Sequence, residues 1–277
     1  MTVTLDALVV PAFDDLDGLP GETEPWHEQY DLAESLDVAG VPEPLRHDGR
    51  LGVVPTGVGK VAAATTVTAL LSSSALAVDG PICSVGVAGG PPDVALGSVV
   101  VADTVLDWDD KCRFDGEKLS LNPYTGEQGV VTLDPDLVER ARAVAETVDL
   151  RRPETDDERG DGSAGGSPAV LGGVNVCGDE LWHGHGMVDQ VEWLLDERGV
   201  GPYRVTEMED IGTAAALARF DALDRYLTIR GVSNHDRPRG DRPPAESFAD
   251  PAFEAGFGTA AENAVRVARA VIETVDL

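Results

Sequence analysis

The chain has 277 residues and a formal net charge of -29, with an isoelectric point near 4.2. Lys60, Lys111 and Lys118 are its only lysines. Such a surface repels nucleic acid and anionic membranes and repels itself at low salt, so the composition points to a halophilic protein working where charges are screened over about 3 Å at 1 M salt.

This length buries about three quarters of the unfolded surface and fits one large α/β domain. Cys83, Cys112 and Cys177 are odd in number and widely spaced, which argues against a disulfide framework or a thiolate zinc site. The opening M-T-V-T-L-D-A-L-V-V-P has no basic n-region and does not read as a secretory signal. No window approaches the roughly 18–20 uncharged apolar residues of a membrane span. A soluble, cytoplasmic protein is expected.

Short apolar runs alternate with helix-like runs, as in a layered α/β domain. Strands are expected at 5–11 and 51–55, the second leading through T-G-V-G-K into a small-residue helix at 61–71. Further strands fall at 82–88 and 98–105, joined by a glycine- and proline-rich turn. Residues 107–128 are irregular and polar, either a lid or an ordinary surface excursion. A helix follows at 135–148 with proline near its start. Residues 151–168 combine charge, glycine and proline without an apolar stripe and read as a mobile insertion within a single domain spanning 1–277. A strand at 170–176, a helix at 187–197, a brief strand at 203–205, a helix at 210–218 and a final helix at 260–275 complete the series.

Two segments carry the chemistry. T-E-M-E-D-I-G-T at 206–213 opens a helix with a methionine–glutamate pair, and R-G-V-S-N-H-D at 230–236 ends an apolar strand in polar groups. T-G-V-G-K lacks the G-x-x-x-x-G-K-[ST] spacing of a phosphate loop, and tight helix packing by Gly57 and Gly59 is its simpler role. His183 and His185, two apart, do not share a helix face, so a metal site is not expected.

Together with T-G-V-G-K-V-A-A-A at 56–64, V-G-V-A-G-G at 85–90, L-G-S-V-V-V-A-D at 96–103, C-G-D-E-L-W-H-G at 177–184 and G-F-G-T-A-A-E-N at 256–263, these segments resemble the nucleoside phosphorylase and nucleosidase superfamily, specifically its purine nucleoside permease branch. The resemblance covers most of the chain. It implies a three-layer α/β/α fold around a central mixed sheet, a homo-oligomer, and a nucleoside held at the strand ends.

Cleaving a nucleoside builds positive charge on ribose and negative charge on the departing base, so the site needs a group aimed at each. By resemblance Glu209 binds the ribose hydroxyls over an apolar floor from Met208. Asn234 stands where the superfamily places the residue bonding the base at N7 or O6, an amide suited to a 6-oxopurine. Asp236 is a second candidate acid if burial raises its pKa. Trp182 is a candidate to stack on the purine and Asp179 to accept its N1–H, with packing as the alternative. Arg230 and Ser84 are the candidates for phosphate, although Val87 departs from the phosphorylase pattern and looks more like the hydrolytic nucleosidases. The expectation is a purine nucleoside phosphorylase acting on guanosine or inosine, with inorganic phosphate as co-substrate and no cofactor. A phosphate-independent nucleosidase and a soluble nucleoside-binding component of an uptake system remain open, since fold similarity does not decide among them.

Overall fold

The computed structural model describes residues 2–14, 16, 20–115, 118–153, 166–237 and 251–274, the stretch 251–255 by its backbone alone. Its centre is a large mixed sheet built from β1 (Ala7–Val9), β2 (Leu51–Val53), β3 (Ile82–Gly90), β4 (Val99–Val101), β5 (Thr104–Asp107), β6 (Val174–Cys177), β7 (Tyr203–Glu207) and β8 (Tyr226–His235). From one edge the order is Val130–Thr132, β5, β6, β7, β3, β1, β2, Leu45–His47 and Glu34–Leu36, with β8 pairing β3 in parallel and β4 in antiparallel.

The axis of the sheet is β3. Its first residues pair with β1, through Leu8↔Ile82 and Val9↔Cys83. Its far end meets β7 at Thr206↔Gly89, and β8 follows it from Tyr226↔Ile82 to His235↔Gly90. The ends of β7 and β8, the two segments singled out in the sequence, therefore flank one strand. β3 and β8 are buried over most of their length, as expected of strands covered on both faces by helices.

The helices are α1 (Glu24–Gln29), α2 (Lys60–Ser72), α3 (Pro135–Ala145), α4 (His185–Arg198), α5 (Asp210–Arg219) and α6 (Pro251–Thr274). On one side α6 packs on β3 and β8 and against α3, burying Phe257, Ala260, Ala264, Val267 and Val271 at helical spacing. On the other, α2 and α5 lie against each other. The result is a three-layer α/β/α architecture. The expected proline of α3 stands at its start, where Asp134 caps the helix by accepting from the Leu137 amide at 2.8 Å. A cap of this kind contributes about 1 kcal/mol.

Some expected elements differ. The strand expected at 98–105 is two strands, because the chain turns at Ala102 and Asp103, whose amides bond Thr228 and Gly173. The strand at 170–176 likewise divides into Val170–Leu171 and β6. Within 107–128, Lys111–Cys112 pairs with Ser120–Leu121 as a small antiparallel ribbon, and Gly126–Gly129 forms a 3-10 turn. Helix α1 and the pair Glu34–Leu36 with Leu45–His47 were not anticipated. Most of the insertion expected at 151–168 lies outside the described residues. Among those described, no helix is long and apolar enough to cross a membrane.

Candidate active site

Strand β7 carries Glu207 at its end, the chain turns through Met208, and Glu209 directly precedes α5. From β8, Arg230 sits opposite Gly86 of β3. Its Nη2 reaches Ser84 Oγ at 2.7 Å, Glu207 Oε2 at 2.9 Å and Asp210 Oδ1, while Nε bonds Asp210 Oδ2 at 3.3 Å. Nη1 has no hydrogen-bond partner though buried, and Glu209 Oε2 stands 3.7 Å from it.

A fourth carboxyl completes the cluster. Glu22 lies between the first strand and α1, with Oε2 accepting from the Ala12 amide and Oε1 from the Val87 amide, each at 2.7 Å. Its carboxyl lies over Gly86, where an added Cβ would come within 2.3 Å of Oε1. Glycine at 86 is what admits it. Glu22 escaped the sequence reading: the only hint is an acid soon after the first strand, and its neighbours are brought to it by the fold.

Glu22, Glu207, Glu209, Asp210 and Arg230 are all buried, so four carboxyls surround one guanidinium. Burial pushes the Glu22 carboxyl up to about 7, against the pull of Arg230 and with Glu209 adding to it. Burial also raises Glu207, with Asp210 reinforcing the shift, and raises Glu209, where Arg230 and the Gly59 N–H oppose it. For Arg230 burial acts the other way, but the carboxylates outweigh it and keep the guanidinium charged. Desolvation of this size is tolerable only where charges are paired or protons retained.

Glu209 is held from outside the cluster as well. Gly59, at φ +94°, directs its amide to Glu209 Oε1 at 3.1 Å. The next amide, of Lys60, is taken by Asp179 Oδ1 at 2.8 Å. Asp179, expected at the base, thus bonds the N-terminus of α2 on the Glu209 side of the site. Lys60 Nζ bridges Asp107 Oδ1 at 2.8 Å and Asp109 Oδ2 at 2.7 Å, and Asp109 Oδ2 also accepts from the Asp179 amide at 3.0 Å.

Further along β3, Asn234 lies opposite Gly89. An added Cβ on Gly89 would stand 3.3 Å from Thr206 Cγ2 and 3.4 Å from Asn234 Nδ2, so the amide adjoins the strand that leads into Glu209. Asn234 Oδ1 accepts from the Ser233 hydroxyl at 2.9 Å, and one Nδ2 hydrogen goes to the His235 carbonyl at 3.2 Å. The second Nδ2 hydrogen remains to be given.

Two expected site residues have other surroundings. The Asp236 side chain accepts from Tyr203 Oη at 2.8 Å and from Arg237 Nη1 at 3.0 Å, and its backbone bonds Gly90 and Gly184. Burial raises its carboxyl to about 6, with Arg237 opposing. Trp182 is buried in an apolar cluster with Leu106, Val176, Val191 and Leu194, its ring 5.6 Å from that of Trp108. Met208 is half-buried between the two glutamates.

The fold defines a class before it defines a family. The Neisseria meningitidis 5′-methylthioadenosine/S-adenosylhomocysteine nucleosidase in complex with methylthio-immucillin-A is similar over 99% of this chain and 100% of its own, with a TM-score of 0.69 at 20% identity. The Helicobacter pylori futalosine hydrolase is similar over 98% of each chain, with a TM-score of 0.68 at 17% identity. The Colwellia psychrerythraea methylthioadenosine nucleosidase in complex with adenine gives 0.66 at 20% identity, covering 99% of this chain and 96% of its own. No curated protein sequence matches. The architecture is that of the nucleoside phosphorylase and nucleosidase superfamily, and the chain belongs to its purine nucleoside permease family, which it matches over residues 4–276.

Proposed function

We propose that this protein cleaves the N-glycosidic bond of a purine nucleoside with water as the acceptor, and that Glu22 is the base. The observation that carries the reading is the Glu22 carboxyl, buried beside Arg230 and Glu209 and fixed by two backbone amides, where burial pushes its pKa up to about 7. A base poised near the working pH is best placed to take a proton as water attacks. The unpartnered Arg230 Nη1, with Glu209 Oε2 across from it, offers a donor and an acceptor for the same water.

In this scheme Glu209 accepts from the ribose hydroxyls and supports the positive charge that grows on the sugar. The C1′–N9 bond breaks as the C1′–O bond forms, and the proton released by water passes to Glu22. The departing purine carries the electron pair and takes its proton from solvent. Asn234 donates its remaining N–H to the acceptors N7 or O6 of a 6-oxopurine. Adenine has a donor in place of O6, which favours inosine or guanosine.

Phosphate binding by Arg230 and Ser84, the expectation carried by the resemblance, is not supported. Ser84 already contacts the guanidinium and three acids contact the same arginine. Lys60, whose neighbour Gly59 bonds Glu209, is itself paired with Asp107 and Asp109. A phosphate dianion there would crowd these acids with only Arg230 Nη1 left to offset its charge.

Base release from inosine, guanosine and adenosine in molar KCl, with and without phosphate, tests the proposal. Equal release in both conditions is expected. Release only with phosphate would restore phosphorolysis, and saturable binding without release would make the protein a nucleoside carrier.

A further inference from the structure

We propose that the T-G-V-G-K turn is a positioning device for the ribose carboxylate, with Lys60 as its pin. The inference rests on the nucleoside reading above and assigns a task to a motif that this reading leaves unused. Nothing at the start of α2 needs an external anion, because its two leading amides already have acceptors: Gly59 N–H is given to Glu209 and Lys60 N–H to Asp179. The positive end of a helix dipole favours a carboxylate placed there, so α2 helps to keep Glu209 charged in a buried site.

The direction of the Gly59 amide matters because it decides which Glu209 oxygen faces the sugar. With Oε1 committed to Gly59, Oε2 is the oxygen turned toward Arg230 Nη1, and its lone pairs serve both the water and the ribose hydroxyls. Lys60 holds that amide in place. Its ammonium ties α2 to Asp107 at the end of β5 and to Asp109 beyond it, and Asp109 in turn accepts from the backbone of Asp179. The Lys60 carbonyl lies against α5, where a Cβ on Gly212 would come within 2.1 Å of it. The helix that begins after Glu209 is thus seated on the residue that directs the amide.

Lys60 does not touch the proposed substrate position and acts through Gly59. Burial would lower its pKa, but the bonds to Asp107 and Asp109 hold the ammonium charged, so no effect on the pH profile is expected from it.

The test separates ribose binding from base binding. Affinities for a non-cleavable purine C-nucleoside and for free hypoxanthine are measured in the wild type, Lys60→Met, Lys60→Arg, Glu209→Ala and Lys60→Met/Glu209→Ala. Lys60→Met should weaken the C-nucleoside by about 10-fold and change hypoxanthine by less than about 2-fold. Lys60→Arg should recover most of the loss, and the Lys60 effect should vanish once Glu209 is alanine. Equal weakening of both ligands, or a Lys60 effect that persists without Glu209, overturns the inference. If Lys60→Met does not fold, Asp109→Asn is read by the same criteria. A wild type that binds no nucleoside overturns the functional reading and this inference with it, whereas binding with a persistent Lys60 effect overturns this inference alone.

Discussion

The Glu22 carboxyl rests on the bare backbone of Gly86, and a methyl group there would lie 2.3 Å from Glu22 Oε1. Gly86→Ala should therefore displace the carboxyl while leaving β3 paired with β8. A loss of about 10²-fold in kcat is expected, with little further loss when Glu22→Ala is added, because both changes remove the same group. Near wild-type turnover in Gly86→Ala would show that Glu22 is not the base.

The titration of Glu22 sets the pH dependence. Its carboxyl is raised from 4.5 to about 7, so the base form is lost as pH falls. kcat/KM should drop on an acidic limb with its midpoint near 7. Glu22→Gln should abolish most activity together with that limb. The sign for stability is the reverse: a raised carboxyl contributes stability present below 4.5 and lost as pH rises through about 7.

Asp236 offers the contrast. Its oxygens are occupied by Tyr203 and Arg237, so Asp236→Asn should retain turnover within about 10-fold and leave the acidic limb in place. A limb that disappears in Asp236→Asn, measured by the same kcat/KM profile, would make Asp236 the titrating catalyst.

Trp182 separates packing from base recognition. It fills the cluster between β6 and α4, and Trp182→Ala should cost about 3–5 kcal/mol in denaturant unfolding. Trp182→Leu keeps apolar bulk without a stacking face, and its Ki for free hypoxanthine should stay within about 3-fold of wild type. A Ki raised by 10-fold or more would return Trp182 to the base site.

Charge repulsion at -29 should make stability depend on salt. The thermal midpoint is expected to be higher by at least about 5 °C in 2 M KCl than in 0.1 M. A midpoint unchanged by KCl would refute the halophilic reading.

The layered α/β plan was legible because its strands are short apolar runs and its helices carry apolar stripes. Glu209 and Asn234 could be named from the sequence because each lies in a contiguous segment that resembles the family's, and the fold brings those two segments to one strand. Glu22 was not: its partners at Ala12 and Val87 are brought together only by the pairing of β1 with β3, and no local pattern marks that event. The bond from the Lys60 amide to Asp179 Oδ1 was not legible, because it joins segments that the fold alone brings together. The ribbon within 107–128 escaped because strands of two residues show no period.

Three of the four carboxyls around Arg230 come from residues 207–210 and the fourth, Glu22, from the first strand's side of the chain. Arg230 thus holds together acids from both halves of the chain, and a neutral residue in its place would leave them buried without a counter-ion.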